Sequence, residues 1–172
     1  MKNFLFFLFL ITFWKCVPYK RNEAINAYAQ LKKTNMLPLL NFVIDTRGIN
    51  DSGQLIVRSI RYFEVSGDSY LIYPKIDSVD IIRFCKKQNL TLPQTDTIIN
   101  ILLTHQAKTK ATAINSNPKL GEFVYYSFEN DDKVLVYCPD ARKIYNSYWK
   151  NYINKGKKLD DYWYIIIRTE EQ

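Results

Sequence analysis

The single histidine and the three cysteines are the side chains in this sequence that could support nucleophilic catalysis. A Ser–His or Cys–His mechanism needs an imidazole base within hydrogen-bond reach of the nucleophile, so any such mechanism must use His105. His105 follows Ile98 by seven residues and Ile101 by four, which places the imidazole on the apolar face of a predicted helix. This position favours a packed, structural histidine. A hydrolase that uses His105 with a cysteine or a carboxylate is the alternative.

Two of the cysteines lie in elements that should contribute to the core. Cys85 falls on the apolar face of a predicted helix and Cys138 at the end of a predicted strand. In an exported protein these two residues could form a disulfide, because that compartment is oxidising. Two buried, reduced thiols are the alternative, and the sequence does not choose between them. Neither cysteine has the basic surroundings that would mark a nucleophile.

Motifs for metal, phosphate or cofactor binding are missing from the sequence. The five glycines are isolated, so there is no glycine-rich phosphate loop. One histidine and three widely spaced cysteines offer too few ligands for a zinc site. The pairs Asp131-Asp132 and Asp160-Asp161 are typical of turns and loops. We therefore expect neither a cofactor nor a metal.

Aromatic residues alternate with lysines in the C-terminal third of the chain, and four of them are the main candidates for ligand binding: Tyr145, Tyr148, Trp149 and Tyr152. Aromatic rings beside basic groups can stack on bases, bind sugars or lie at a lipid headgroup layer. The spacing of Tyr145, Trp149 and Tyr152 is also that of a helix stripe that faces the core. Core packing is therefore the competing interpretation.

Asp45 and Arg47 are a second candidate, because they lie at the predicted end of a strand. Polar groups at strand ends commonly line binding sites in loops. The competing interpretation is a surface ion pair next to a turn at Gly48.

The N-terminal sixteen residues have the pattern of an export or anchoring segment. Lys2 precedes an apolar stretch that runs from Phe4 to Trp14. A basic residue followed by about 7–15 apolar residues is typical of a secretory signal. The stretch is shorter than the roughly 20 residues that span a bilayer as a helix.

The position of Cys16 resembles that of the lipidated cysteine in a bacterial lipoprotein, although Phe13-Trp14-Lys15 differs from the leucine and small residues usual there. An uncleaved anchor, with Trp14 and Lys15 at the membrane interface, is the alternative. We expect residues 1–16 to form a signal, lipoprotein-like or anchor segment. Residues 17–172 then form a single globular domain outside the cytoplasm.

Composition is consistent with a folded domain of this size. The chain has 172 residues, of which 47% are hydrophobic and 15% aromatic, a content typical of globular proteins. The net charge of +7 favours solubility and a weak attraction to anionic surfaces. No basic stripe or known nucleic-acid-binding module accompanies that charge, so we expect no nucleic-acid partner.

Hydrophobic periodicity and turn residues predict the order of the elements. Helices are predicted over residues 22–35, 77–88, from 93–96 to about 105, and 139–152. Strands are predicted over residues 39–44, 55–65, 70–73, 123–128, 134–137 and 162–168, and a polar loop over 108–121. Strands in runs separated by helices predict an α+β fold, with a mostly antiparallel sheet of about five to six strands packed against three to four helices.

Function is predicted mainly from the shortage of catalytic residues. The sequence favours an exported, membrane-associated, non-catalytic binding protein of the cell envelope or periplasm, which is a lipoprotein if Cys16 is the lipidated residue. Its partners would be the membrane, through the N-terminal segment, and a protein or another envelope component.

Overall fold

The computed structural model describes residues 22–49, 55–58, 70–72 and 89–167. The helices in these ranges are α1 (Glu23–Leu31), α2 (Leu37–Leu40), α3 (Leu92–Thr109) and α4 (Ser147–Lys155), with a short 3-10 helix at Ala141–Lys143. The strands are β1 (Ile44–Ile49), β2 (Leu55–Arg58), β3 (Tyr70–Ile72), β4 (Ala113–Ser116), β5 (Val124–Phe128), β6 (Asp131–Tyr137), β7 (Lys157–Lys158) and β8 (Trp163–Ile167).

The strands form one sheet in the order β3-β2-β1-β4-β5-β6-β8-β7. All neighbouring strands pair antiparallel. The predicted α+β class with an antiparallel sheet is therefore confirmed. Within the described residues, six strands have four or more residues, and the short β3 and β7 lie at the two edges.

Two apolar cores lie on opposite faces of the sheet. Successive side chains of a strand point to opposite faces, and β6 shows this directly. Leu135 and Tyr137 pack in the larger core with α1, α2 and α3, whereas Val134 and Val136 pack in the smaller core with α4. Because both faces are covered, the second half of β6 is a continuous apolar run rather than an alternating one.

Helix α3 begins at a capping box. The Thr91 hydroxyl accepts a hydrogen bond from the Gln94 N–H, and the Gln94 side chain accepts one from the Thr91 N–H at 2.9 Å. These two bonds satisfy N–H groups that have no partner inside the helix. The helix then buries Ile98, Ile99 and Leu102 against the sheet.

Asp131, the first residue of β6, fixes the N-terminus of α1 to the sheet. Its Oδ2 accepts a hydrogen bond from the Ala24 N–H at 3.2 Å, and its Oδ1 accepts one from the Lys133 N–H at 3.1 Å. The Lys133 Nζ lies 3.5 Å from the same Oδ1. The Asn22 side chain makes no capping hydrogen bond to the helix. A carboxylate from the sheet therefore stabilises the positive end of the α1 dipole.

The strand predicted over 39–44 is wrong, because residues 37–40 form helix α2. Pro38 occupies the first turn of this helix, where its missing N–H costs nothing, and Leu39 and Leu40 pack into the larger core. Strand β1 begins only at Ile44 and continues through Gly48, where the sequence predicted a turn.

The loop predicted over 108–121 is also wrong, since Ala113–Ser116 form β4 between β1 and β5. Asn115 and Ser116 are buried there despite their polarity, because strands cover both edges. The predicted helix 139–152 starts too early. Its first part is the short 3-10 helix, and Ile144 then makes an isolated bridge to Gly121 before α4 begins.

Several predictions fall outside the described residues: the N-terminal segment 1–16 with Cys16, and the helix 77–88 with Cys85. In the ranges that are described, no helix is both long enough and apolar enough to cross a bilayer.

Replacing Asp131 with alanine is expected to lower the free energy of unfolding by about 1–2 kcal/mol, because α1 loses the acceptor at its N-terminus. Urea denaturation followed by tryptophan fluorescence measures this change. Asp132→Ala is the matched control, since Asp132 is exposed, and it should change the free energy by less than about 0.5 kcal/mol. Equal losses in the two variants would contradict the role given to Asp131.

Candidate functional site

A cleft of about 600 Å³ lies at the β7–β8 edge of the sheet, next to α1 and α4. Its apolar lining consists of isoleucine side chains, one from α1 and three from β8: Ile25, Ile165, Ile166 and Ile167. Ile25 is 38% exposed and Ile167 is 55% exposed, so part of this apolar surface contacts solvent. We call this feature the edge cleft.

Basic side chains accompany this apolar lining. Lys133, Lys155 and Lys157 line the edge cleft, and no aspartate or glutamate of the described ranges does so. Lys133 is held by Asp131 and by the Asn22 Oδ1, which lies 3.3 Å from its Nζ. Lys155 and Lys157 are exposed, and the structure shows no ion pair between either lysine and a described residue. The lining therefore carries uncompensated positive charge.

The turn at Gly156 brings two of these lysines to the same cleft. Gly156 ends α4, and a Cβ at this position would lie 3.1 Å from the Ile165 carbonyl oxygen and 3.2 Å from the Ile153 carbonyl oxygen. The glycine thus lets the end of α4 approach β8 closely. Lys157 then pairs with Ile165 directly after Lys155 has ended the helix.

Trp149, one of the predicted ligand-binding residues, belongs mainly to the smaller core. Its ring centroid lies 4.6 Å from that of Tyr125 and 4.8 Å from that of Phe123. These contacts fix α4 against β5. Trp149 therefore contributes mainly to core packing, the alternative to ligand binding that its helical spacing also indicated.

Tyr148 and Tyr152 contact each other on α4 and connect to the edge cleft, and Tyr152 also packs against the smaller core. Their ring centroids are 4.5 Å apart, Tyr148 is 53% exposed, and Tyr152 lines the cleft. Tyr148, Tyr152 and Lys155 have the spacing i, i+4, i+7, which puts them on one face of the helix. An aromatic face that is exposed at Tyr148 and half-buried at Tyr152 thus continues into the edge cleft.

Tyr145 is placed apart from the edge cleft. It precedes α4, its backbone N–H donates to the Leu120 carbonyl at 2.9 Å, and its ring is exposed. It does not line the cleft. The structure therefore brings Tyr148, Trp149 and Tyr152 together on α4, and places Tyr145 just before the N-terminus of that helix.

Asp45 and Arg47 form the expected ion pair, with the Arg47 Nη2 3.2 Å from the Asp45 Oδ2. They lie inside β1 rather than at a strand end, and the Asp45 side chain is buried. Strands β4, β5 and β6 separate β1 from β8. Four strand spacings correspond to about 19 Å, so this pair and the edge cleft are separate places on the molecule.

His105 is enclosed in the larger core, where only 3% of the residue is exposed. Its Nδ1 lies 2.9 Å from the Tyr126 Oη. Burial, together with the nearby charge of Lys108, lowers the pKa of His105 to about 4. Burial also raises the pKa of Tyr126 well above its ordinary value. Both side chains are therefore neutral near pH 7, and neither reaches a substrate from the surface.

Cys138 is buried in the smaller core, on the opposite face of the sheet from Tyr126. Burial is the main cause that raises the pKa of its thiol to about 11, so the thiol stays protonated at neutral pH. The sheet separates Cys138 from His105, which excludes a catalytic pair between them. Cys138 has no disulfide partner among the described residues, and Cys85 lies outside them, so the disulfide stays a prediction.

In the described ranges, no group of three or more histidine, cysteine, aspartate or glutamate side chains is placed to hold a metal ion. Comparisons with protein-family models, curated proteins and solved structures gave no match. The interpretation of the edge cleft therefore depends on its own geometry and chemistry.

Sequence reasoning missed Ile25, Lys133 and the isoleucines of β8 as site residues. The run Ile165-Ile166-Ile167 was a usable signal, because three consecutive apolar residues at the end of a strand put apolar side chains on both faces. Lys133 gave no such signal. It reaches the cleft only because β6 pairs with β8, with Lys133 opposite Ile167.

Stability is expected to fall as the pH is lowered from about 6.5 to about 4. The pKa of His105 is about 4 in the folded chain and 6.5 ordinarily, so the unfolded chain takes up a proton first. The neutral, buried imidazole therefore contributes about 3 kcal/mol to the free energy of unfolding. This stabilisation is fully present above about pH 6.5 and is lost as the pH falls through about 4.

Urea denaturation at a series of pH values measures this loss. The His105→Gln variant should lack this part of the pH dependence while it keeps the part that comes from carboxylates. An identical pH dependence in the variant and the unaltered protein would contradict the burial of a neutral imidazole.

Proposed function

We propose that this protein is a membrane-attached, non-catalytic binding protein of the cell envelope whose domain lies outside the cytoplasm. The edge cleft is the observation that carries the proposal. It combines exposed isoleucines, the ring of Tyr152 and two lysines without ion-pair partners in the described ranges. Exposed apolar and aromatic surface of this kind is typical of interaction sites.

The buried chemistry supports a binding role over a catalytic one. A general base must come within hydrogen-bond reach of the proton that it removes. His105 is instead enclosed against Tyr126, and the thiol of Cys138 is buried and protonated. Neither residue lines the edge cleft.

The N-terminal sequence supports attachment to a membrane. Lys2 and the apolar stretch from Phe4 to Trp14 have the pattern of an export signal or anchor, and Cys16 follows directly. Either a lipid on Cys16 or a retained apolar segment would hold the domain at the membrane surface.

Membrane fractionation and intact-mass measurement of the protein from its native cells test this proposal. We expect the protein in the membrane fraction, with either a lipid-modified Cys16 or an intact apolar segment at the N-terminus. The Cys16→Ser variant separates these two forms, because only a lipidated protein loses the added mass. Recovery of the unmodified chain, still beginning with Met1, in the soluble fraction would contradict the proposal.

A further inference from the structure

We propose that the edge cleft docks on anionic phospholipid of the same membrane that holds the N-terminal segment. In this arrangement Lys155 and Lys157 bind lipid phosphate, and the exposed Ile25 and Ile167 enter the boundary between headgroups and acyl chains. The inference rests on the proposed function, because it requires the domain to lie next to a membrane.

Charge complementarity is the first argument for this occupant. Three lysines and no described carboxylate line the cleft. Among the described residues, Asp131 is an acidic partner for Lys133, and neither Lys155 nor Lys157 has one. Basic side chains near a bilayer are attracted to anionic lipid. The two remaining lysines therefore offer a site for phosphate groups.

The arrangement of apolar and aromatic groups is the second argument. Ile25 and Ile167 are large apolar side chains exposed next to these lysines. Tyr148 and Tyr152 extend the same surface along α4. Tyrosine rings are enriched at membrane interfaces, and a face with apolar groups and flanking lysines is typical of segments that lie in the headgroup layer.

The length of the connecting chain is the third argument. Asn22 lines the cleft and follows Trp14, the last residue of the apolar stretch, by eight residues. A fully extended chain covers at most about 3.6 Å per residue, so with Trp14 at the membrane interface the cleft would lie within about 29 Å of it. Lys15, Lys20 and Arg21 lie in this connection and add basic charge next to the membrane. An acidic protein would match the charges of the cleft, but the short connection favours lipid.

Isoleucine methyl NMR on the full chain in lipid nanodiscs tests the inference. One set of discs contains only phosphatidylcholine, and the other an equimolar mixture with phosphatidylglycerol. We expect the methyl resonances of Ile25 and Ile167 to shift in the anionic discs. The buried Ile44 and Ile114 are internal controls and should keep their resonances.

A charge-matched pair of double variants isolates the lysines. The variant K155Q/K157Q should reduce the methyl shifts about tenfold, because it removes the two basic groups of the cleft that have no acidic partner in the described ranges. The control K119Q/K150Q removes the same charge from exposed lysines that do not line the cleft, and should leave the shifts unchanged. All four positions are on the surface, so the fold should be preserved in both variants.

Three results would overturn the inference. The first is identical methyl spectra in neutral and anionic discs. The second is an equal shift in K155Q/K157Q and in the unaltered chain. The third is the same shift on adding inorganic phosphate to the neutral discs, which would identify a site for a free anion. A failure of the proposed function can be distinguished from a failure of this inference. Cell fractionation measures where the protein is located, whereas the nanodisc spectra measure only whether the edge cleft contacts lipid.

Discussion

Strand β6 is covered on both faces and paired on both edges, and the rest of the fold depends on this burial. It pairs with β5 on one side and β8 on the other. Its alternating side chains contribute to both cores, with Leu135 in the larger core and Val136 in the smaller one. Its first residue, Asp131, also holds the N-terminus of α1. One strand therefore positions helices on both sides of the sheet.

The same constraint separates the reactive side chains and creates the cleft. A sheet with a core on each face keeps His105 and Cys138 on opposite sides, each neutral and enclosed. Helices α1 and α4 cover opposite faces, and residues of both line the cleft at the β7–β8 edge. Strand β7 has only two residues and pairs with β8 as far as Ile165, and Ile167 at the end of β8 is 55% exposed. The position of the edge cleft thus follows from where the sheet ends.

Local signals in the sequence were sufficient to predict several elements. Helix α3 has a strong start at Pro93 and a regular apolar stripe, and the β5–β6 hairpin has aromatic and branched residues around a polar turn. The predicted residues Tyr148, Trp149 and Tyr152 do lie together on α4. Their individual roles could not be predicted, because a helix repeat does not show which ring the sheet will cover.

Elements defined by tertiary contacts could not be predicted. Strand β4 contains Asn115 and Ser116, which are buried only because β1 and β5 cover both edges. Leu39 and Leu40 suit a strand as well as a helix. They form a helix because Pro38 is compatible with its first turn and both leucines pack into the larger core. The edge cleft combines residues from α1, α4, β6 and β8, so it depends on the strand order, which periodicity does not give.

Photo-crosslinking in native membranes tests most directly whether the edge cleft meets lipid. A photoreactive residue would replace Ile167 in the cleft and, as a control, the exposed Leu92 at the start of α3. We expect adducts with the mass of a phospholipid at position 167 and few or none at position 92. Protein adducts without lipid at position 167, or equal lipid adducts at both positions, would contradict it.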